Sequence, residues 1–331
     1  MKVLFIGGTG NISAHCAALL HELGHEISVI SRGKSLVPSE YDTVLADRRD
    51  AEQMKRAAMK AAPDIVINFL GYTTEDLEID LRAFGGGVTQ YIFISSASVY
   101  QKPPPKLPIT EASSRGNPFW DYSAKKLECE NWLERMPSDG RFPWTIVRPS
   151  HTYSERWVPN AVSSSSYTLA ARIERGLPVY LHDDGHTPWT LTHSRDFASG
   201  LAGLVGNPKA IREDYHITSC EALTWNEIYE EIAQALGAPP LKILHIPTPF
   251  ICEVAPRFKG TLLGDKAHPG VFSNAKLRAL VPGFTCKTPF RQGVAQSVAW
   301  LRSHPEAQNL SAELDAEIEL VIARWKARSP A

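Results

Sequence analysis

Two hydrophobic periods alternate along the N-terminal half of the chain. Short apolar runs occur at KVLFI (2–6), EISVI (26–30), TVLA (43–46), DIVINFL (64–70), YIFIS (91–95) and WTIV (144–147). Their length and continuity predict strands buried on both faces. Between them, residues 11–23, 50–61, a short stretch after DIVINFL, and 121–136 have helical spacing. Strands alternating with helices predict an α/β fold built on a doubly wound parallel sheet.

Past residue 150 the pattern loosens. A Ser-rich stretch, AVSSSS (161–166), precedes a helical segment at 167–175. Short strands at DYHIT (214–218) and KILHI (242–246) then alternate with helices at 224–237 and 289–303. This predicts a smaller α+β lobe interwoven with the first. In the tail, Leu310, Leu314, Ile318, Val321 and Trp325 recur at helical spacing, as in a helix that docks on the body. The expected division is 1–150 for a nucleotide-binding domain, 151–305 for a mainly substrate-binding lobe, and 306–331 for the docking helix.

Composition narrows the class. Of 331 residues, 43% are hydrophobic and 21% charged, and the net charge is -1. These are globular proportions with no overall pull toward nucleic acid or an acidic membrane. Five cysteines without Cys-x-x-Cys spacing argue against a disulfide framework or a zinc site. The first residues carry no signal-peptide pattern, and no apolar run reaches membrane-spanning length, so a cytoplasmic protein is expected. His182, His186 and His193 lack ligand-like spacing, and no metal is expected.

Two local patterns carry chemistry. FIGGTGNIS follows the first strand and opens the first helix, giving Gly7-x-x-Gly10-x-x-Ser13. Glycines at such a turn let backbone approach a pyrophosphate, and the helix start offers N–H groups and a positive dipole end. The second strand ends in VISRGK, with Ser31 where an acidic residue would hold an NAD ribose and Arg32 next to it, near Lys34. A guanidinium in place of a carboxylate favours a 2′-phosphate, hence NADP(H) over NAD(H).

The second pattern is WDYSAKKL. Tyr122 and Lys126 stand four apart on one helix face, with Asp121 as the expected cap. A neighbouring ammonium is expected to lower the phenol's pKa and suit it to proton exchange with a substrate hydroxyl. Ser96, at the end of the fifth strand in ISSASVY, supplies a hydroxyl to hold the reacting oxygen.

The set GGTGNIS, FISSASVY, YSAKK and IVRPSHTY resembles the extended or atypical short-chain dehydrogenase/reductases, in particular the NAD-dependent epimerase/dehydratase family. The likeness runs over about residues 1–305 and implies a Rossmann-type sheet. By position it implies a catalytic triad of Ser96, Tyr122 and Lys126, with Lys126 also holding the nicotinamide ribose. The implied cofactor set is Gly7, Thr9, Gly10, Asn11, Ile12, Ser31, Arg32, Asp47 near adenine, Leu70, Tyr122, Lys126 and Pro149 against the nicotinamide. Ser98, His151, Tyr153 and Trp189 are the implied substrate residues.

The chain also departs from that family's pattern. Only residues 69–90 separate Asn68 from Tyr91, and a homodimer through the usual helix pair is left open. Ala97 and Ser98 replace the Asp-Glu pair of the 4,6-dehydratases, so that elimination route is not expected. Trp189 stands in the slot of a diphosphate-binding Arg, and TLLGD lacks the second such Arg, with Arg257 or Lys259 as candidates to compensate. His151 replaces the usual Asn. An aromatic, less cationic pocket is therefore expected, with KPPPK (102–106) as a stiff loop at its mouth.

The expected function is an NAD(P)-dependent oxidoreductase or epimerase acting on a hydroxyl/carbonyl carbon of a sugar, sugar nucleotide or similar small molecule. One alternative is an NADPH-dependent carbonyl reductase on a non-nucleotide substrate. The other is an RNA-binding protein, because SRGK, SSASVY and LTHSRD are also similar to chloroplast stem-loop RNA-binding relatives. Those relatives lack the Tyr-x-x-x-Lys pair that this chain keeps, and the near-neutral charge gives nucleic acid no support.

Overall fold

In the computed structural model, which describes residues 1–34, 36–163 and 165–328, seven strands form one parallel sheet. The first six in chain order are β1 (Lys2–Ile6), β2 (Glu26–Ser31), β3 (Asp42–Leu45), β4 (Ile65–Asn68), β5 (Gln90–Ile94) and β6 (Trp144–Pro149). The sheet runs β3-β2-β1-β4-β5-β6, and the late strand Asp214–Ile217 pairs parallel to β6 at its far edge. Order reverses between β1 and β4, the switch point where open α/β sheets gather ligands at the carboxyl ends of their strands.

The interlaced helices are α1 (Ser13–Glu22), α2 (Ala51–Ala61), α3 (Thr74–Phe84) and α4 (Asp121–Glu134). Their starts follow local chemistry. The Asp50 carboxylate accepts from the Glu52 and Gln53 N–H groups at α2, and Thr73 forms a reciprocal capping box with Asp76 at α3. Asp121 does not cap α4, contrary to expectation. Trp120 occupies that position without a side-chain bond, and Asp121 lies in the first turn, where its charge still complements the dipole.

The interweaving runs deep. Phe197, Leu201, Tyr215 and Phe284, all late in the chain, share one core cluster with Val3, Phe5, Val29 and Ile67. The Ser194–Leu204 helix packs against α1. A second cluster holds Trp189, Trp225, Tyr229 and Phe290 together with Leu314, Ile318 and Val321 of the tail helix Ala312–Arg328. Leu310 precedes that helix and is exposed, a correction to its place in the expected stripe. Arg172 fixes the helix through Asp315 at 2.6 Å and through Glu319. Within the Ser-rich stretch, Ser164 lies outside the described residues. Among the described residues no helix is long and apolar enough to cross a membrane.

Candidate active site

The glycine turn sits at the carboxyl end of β1. Gly7 has φ +90, a conformation L side chains rarely adopt, and a Cβ there would lie 2.6 Å from Leu70 Cγ. The Ser13 Oγ accepts from the Gly10 N–H at 2.9 Å and closes the turn. Thr9 is half-buried, and Ile12 precedes the first residue of α1. The Asn11 side chain donates to the Thr152 carbonyl at 2.9 Å and accepts from Ser154 Oγ at 2.5 Å, tying the turn to the late part of the chain.

The other expected cofactor residues lie at the same edge of the sheet. Ser31 Oγ accepts from the Gly33 N–H at 3.1 Å. Arg32 is exposed and has no ion-pair partner among the described residues. Asp47 accepts from the Arg49 N–H at 3.0 Å, following β3. Leu70 follows β4 and Pro149 ends β6. A glycine at positive φ under Leu70 and an exposed Gly10 beside a helix start fit the pyrophosphate of a dinucleotide, and Arg32 adds a guanidinium without an ion pair among the described residues at the end of β2.

Sequence reasoning missed the network that stiffens this edge. Asn68 Nδ2 donates to Asp80 at 2.6 Å and to Tyr91 Oη at 2.8 Å, and the Tyr91 hydroxyl donates to the same carboxyl at 2.6 Å. Arg48 donates to the Leu70 carbonyl at 2.7 Å and faces Asp80 at 3.3 Å. Burial pushes the Asp80 carboxyl up to about 6, with the Arg48 charge opposing. The sequence signal was present only as polar residues, Asn68 and Asp80, among apolar neighbours.

Ser96, Tyr122 and Lys126 do converge. Ser96 and Tyr122 are half-buried, whereas Lys126 is fully enclosed. The Ser96 hydroxyl bonds Ser98 Oγ at 2.9 Å and is near enough to Tyr122 to favour ionisation of its phenol. Lys126 Nζ donates to the Gly71 and Ile94 carbonyls, each at 2.7 Å, and lies 5.9 Å from the Tyr122 ring centroid.

The expected lowering of the phenol does not occur. Burial pushes Tyr122 up to about 12, and the nearby Ser96 hydroxyl pulls only partly the other way. Lys126 is itself brought down to about 8 by burial, and its ammonium protons are directed to carbonyls rather than to the phenol.

The aromatic surround was also missed. Tyr72 lies 6.4 Å from the Tyr122 ring and 5.0 Å from Lys126 Nζ, and Trp120 lies 4.9 Å from Tyr122. The Trp120 side chain covers Gly260 and Gly264: an added Cβ would lie 2.3 Å from the indole at Gly260 and 2.8 Å from the Trp120 Cβ at Gly264. Adjacent sequence positions hinted at Trp120; nothing in the sequence placed Tyr72.

The substrate residues divide. Ser98 is buried beside Ser96, and burial with the Lys266 charge holds the half-buried His151 imidazole well below its usual range. Tyr153 is a correction. It is fully buried, packs against Phe290 at 5.7 Å and presses its hydroxyl on Gly293, so it belongs to the core of the lobe. Trp189 is also buried and stacks on Trp225 at 5.7 Å, but its ring lies under Lys102 Nζ at 5.6 Å.

That lysine corrects the expectation of a less cationic pocket. Lys102, from KPPPK, turns inward rather than lining a loop at the mouth, and Lys266 joins it around Asp265. Arg257 is instead paired with Glu317 of the tail helix, and Lys259 is exposed. The LTHSRD stretch is architectural: His193 accepts from the Arg195 N–H, and Asp196 accepts from the Lys287 and Thr288 N–H groups. Among the described residues, no group of three or more His, Cys, Asp or Glu side chains is placed to hold a metal ion.

Residues 3–218 match the model of the NAD dependent epimerase/dehydratase family. The chain belongs to that family. It is therefore an NAD(P)-dependent oxidoreductase or epimerase of the short-chain dehydrogenase/reductase superfamily. Among curated relatives of this family member, 2'-dehydrokanamycin reductase of Streptomyces kanamyceticus is 28% identical over 99% of this chain and 91% of that protein. A chloroplast stem-loop binding protein of Arabidopsis thaliana is 29% identical over 74% of this chain and 65% of its own length. In fold, the chain is similar to UDP-glucose 4-epimerase of Bifidobacterium longum, solved with NAD+ and UDP. That likeness has TM-score 0.75 and 20% identity over 93% of this chain and 100% of that one.

Proposed function

We propose that this chain is an NADP(H)-dependent oxidoreductase that reduces a carbonyl carbon of a sugar or sugar-like small molecule. Ser96, Tyr122 and Lys126 are its catalytic residues in this reading. The observation that carries it is the gathering of Ser96, the Tyr122 phenol and the Lys126 ammonium at the carboxyl edge of the sheet, with the phenol held protonated by burial. The full-length likeness to a named reductase supports the same direction.

In this reading the Gly7–Gly10 turn and the start of α1 hold the pyrophosphate, and Arg32 holds the adenosine 2′-phosphate. Lys126 bonds the nicotinamide ribose. A bound reduced nicotinamide supplies two electrons and a hydrogen to the substrate carbon. Ser96 donates to the substrate carbonyl oxygen and fixes its position. Tyr122 Oη gives its proton to that oxygen as negative charge develops there, completing the alcohol. A phenol at about 12 is fully protonated at neutral pH and is thus poised as the acid. The enclosed Lys126 cation stabilises the phenolate that remains until solvent returns the proton.

Consumption of NADPH with a panel of oxo-sugars tests the proposal. Wild-type protein is expected to turn over at least one of them, and Tyr122→Phe is expected to bind NADPH but not react. A Tyr122→Phe protein with the wild-type rate sinks the assignment. Tight retention of NAD(H) with interconversion of stereoisomers would move the reading to an epimerase. Steeply salt-dependent RNA binding unaffected by Tyr122→Phe would move it to the nucleic-acid class.

A further inference from the structure

Beyond the catalytic residues, the short segment Leu262–Lys266 has π-helical backbone, a rare geometry concentrated at functional sites. It carries Asp265 and Lys266 and is pinned on both sides. Asn117 Nδ2 donates to the Gly264 carbonyl at 2.6 Å and to the Ser98 carbonyl at 2.8 Å, joining this segment to the turn that bears Ser96. The Trp120 Cβ lies against Gly264, its ring lies across Gly260, and that ring packs 4.9 Å from Tyr122. After burial and Tyr72, the Asp265 charge also opposes ionisation of Tyr122.

Lys102 adds a second ammonium beside the Asp265–Lys266 pair of this segment. Asp265 lies 3.7 Å from Lys102 Nζ and 4.0 Å from Lys266 Nζ, so two ammonium groups share one carboxylate. At 3.7 Å the first contact is an ion pair beyond hydrogen-bond distance, and Lys102 Nζ has no hydrogen-bond acceptor among the described residues. The buried Trp189 Nε1, whose ring Lys102 covers, likewise lacks an acceptor. The cluster is thus rich in donors and poor in acceptors. Lys266 and Asp265 keep 12% and 17% side-chain exposure while Lys102 keeps none, so Lys266 is the face open to a ligand and Lys102 is the charge behind it. His151 beside it is held neutral and offsets nothing.

We infer that the Lys102–Asp265–Lys266 cluster is the specificity-determining wall of the substrate site and receives a carboxylate carried by the substrate. The reading rests on the oxidoreductase assignment above. An anionic group placed against Lys266 restores charge balance and supplies the missing acceptor oxygens, in surroundings where water screens little. A neutral hydroxymethyl group gains only ordinary hydrogen bonds there, and an ammonium group meets net positive charge. The substrate class is accordingly a small sugar acid or hydroxy/oxo acid, rather than a polyamine sugar.

Calorimetry on NADPH-saturated protein tests this with three pyranoses that differ in charge: D-glucuronate, D-glucose and D-glucosamine. Glucuronate is expected to bind about tenfold or more tighter than glucose, with glucosamine weakest, in line with a charge-assisted bond. Lys266→Gln is expected to abolish that preference, lowering glucuronate binding to about the level of glucose, while leaving NADPH binding unchanged. Lys102→Met, read by the same titrations, is a second variant that removes the charge without touching the open face, and it should weaken glucuronate alone. Equal binding of glucuronate and glucose, no binding of glucuronate, tighter binding of glucosamine, or an unchanged preference in Lys266→Gln would each overturn the inference. NADPH binding itself reports on the oxidoreductase reading, so the two fail separately.

Discussion

The two ends of the site bury their lysines in opposite ways. At the catalytic end, Lys126 gives protons to two backbone carbonyls at 2.7 Å. At the substrate end, Lys102 is equally enclosed but has only a carboxylate at 3.7 Å and no hydrogen-bond acceptor among the described residues. An ammonium satisfied by backbone is part of the scaffold and holds a fixed position. One left without an acceptor keeps its bonding capacity for something that arrives. The difference separates a group that is preorganised from one that selects.

The largest effect should come from the group that Lys126 stands behind. Tyr122→Phe removes the only proton that the proposed chemistry places on the substrate oxygen and is expected to lower kcat by about 10²–10⁴-fold. Its melting temperature should hardly change, because among the described residues no close hydrogen bond ties the hydroxyl to the scaffold. Stopped-flow NADPH absorbance beside a melting curve checks both. A large loss of stability would mean that the phenol, too, holds the fold together, and would erase the contrast.

The second effect concerns the support beneath the catalytic end. Asp80 bonds Asn68, Tyr91 and Arg48, and Arg48 also holds the Leu70 carbonyl, one residue before Gly71. The buried carboxyl titrates at about 6, whereas an unfolded one titrates near about 4. Between these values the folded chain keeps a proton that the unfolded chain has released. Stability from this group is therefore fully present below about pH 4 and is lost as pH rises through about 6. Two pH units correspond to about 3 kcal/mol, and Asp80→Asn should remove that slope in urea titrations between pH 4 and 6. A slope that survives the substitution would assign the pH dependence elsewhere.

A direct comparison of the lysines comes next. Lys126→Met leaves the Gly71 and Ile94 carbonyls without their donor and is expected to cost about 2 kcal/mol or more. Lys102→Met leaves Asp265 paired with Lys266 and removes a poorly satisfied charge, so a change within about 1 kcal/mol is expected. Equal losses in the two urea titrations would show that Lys102 is as much a part of the scaffold as Lys126.

This contrast also explains what the sequence could convey. The strand runs, the glycine turn and the Ser96, Tyr122 and Lys126 set obey short-range rules, because each depends on a period or on a spacing within one element. Arg32 was legible for the same reason: it follows the second strand directly. Lys102 was not. KPPPK has the composition of an exposed loop, and only the packing of Trp189, Gly270 and the Leu262–Lys266 segment turns its first lysine inward. Tyr153 failed in the opposite sense, since a tyrosine two residues past His151 became core once Gly293 gave its ring a place to pack. The pKa of Tyr122 failed because a spacing of four brings two side chains to one face but does not decide where the ammonium protons point.

The smallest effect separates the cofactor cation from the substrate cations. Arg32 is exposed at the end of β2 and faces no carboxylate among the described residues, whereas Lys102 and Lys266 share Asp265 in a largely enclosed setting. An exposed guanidinium is screened by water and salt, so its contribution to a 2′-phosphate is modest. Arg32→Ala is expected to weaken NADPH by about tenfold and NADH by much less, as for one lost charge-assisted contact. Added salt should shrink the difference, since the pair would be exposed. Because Arg32 and the Lys102 cluster recognise different anions, the order of glucuronate over glucose should persist in Arg32→Ala whenever the cofactor is saturating. Equal weakening of NADPH and NADH would show that Arg32 touches the adenosine without reading its phosphate, and the cofactor preference would then have to come from elsewhere on the β2 edge.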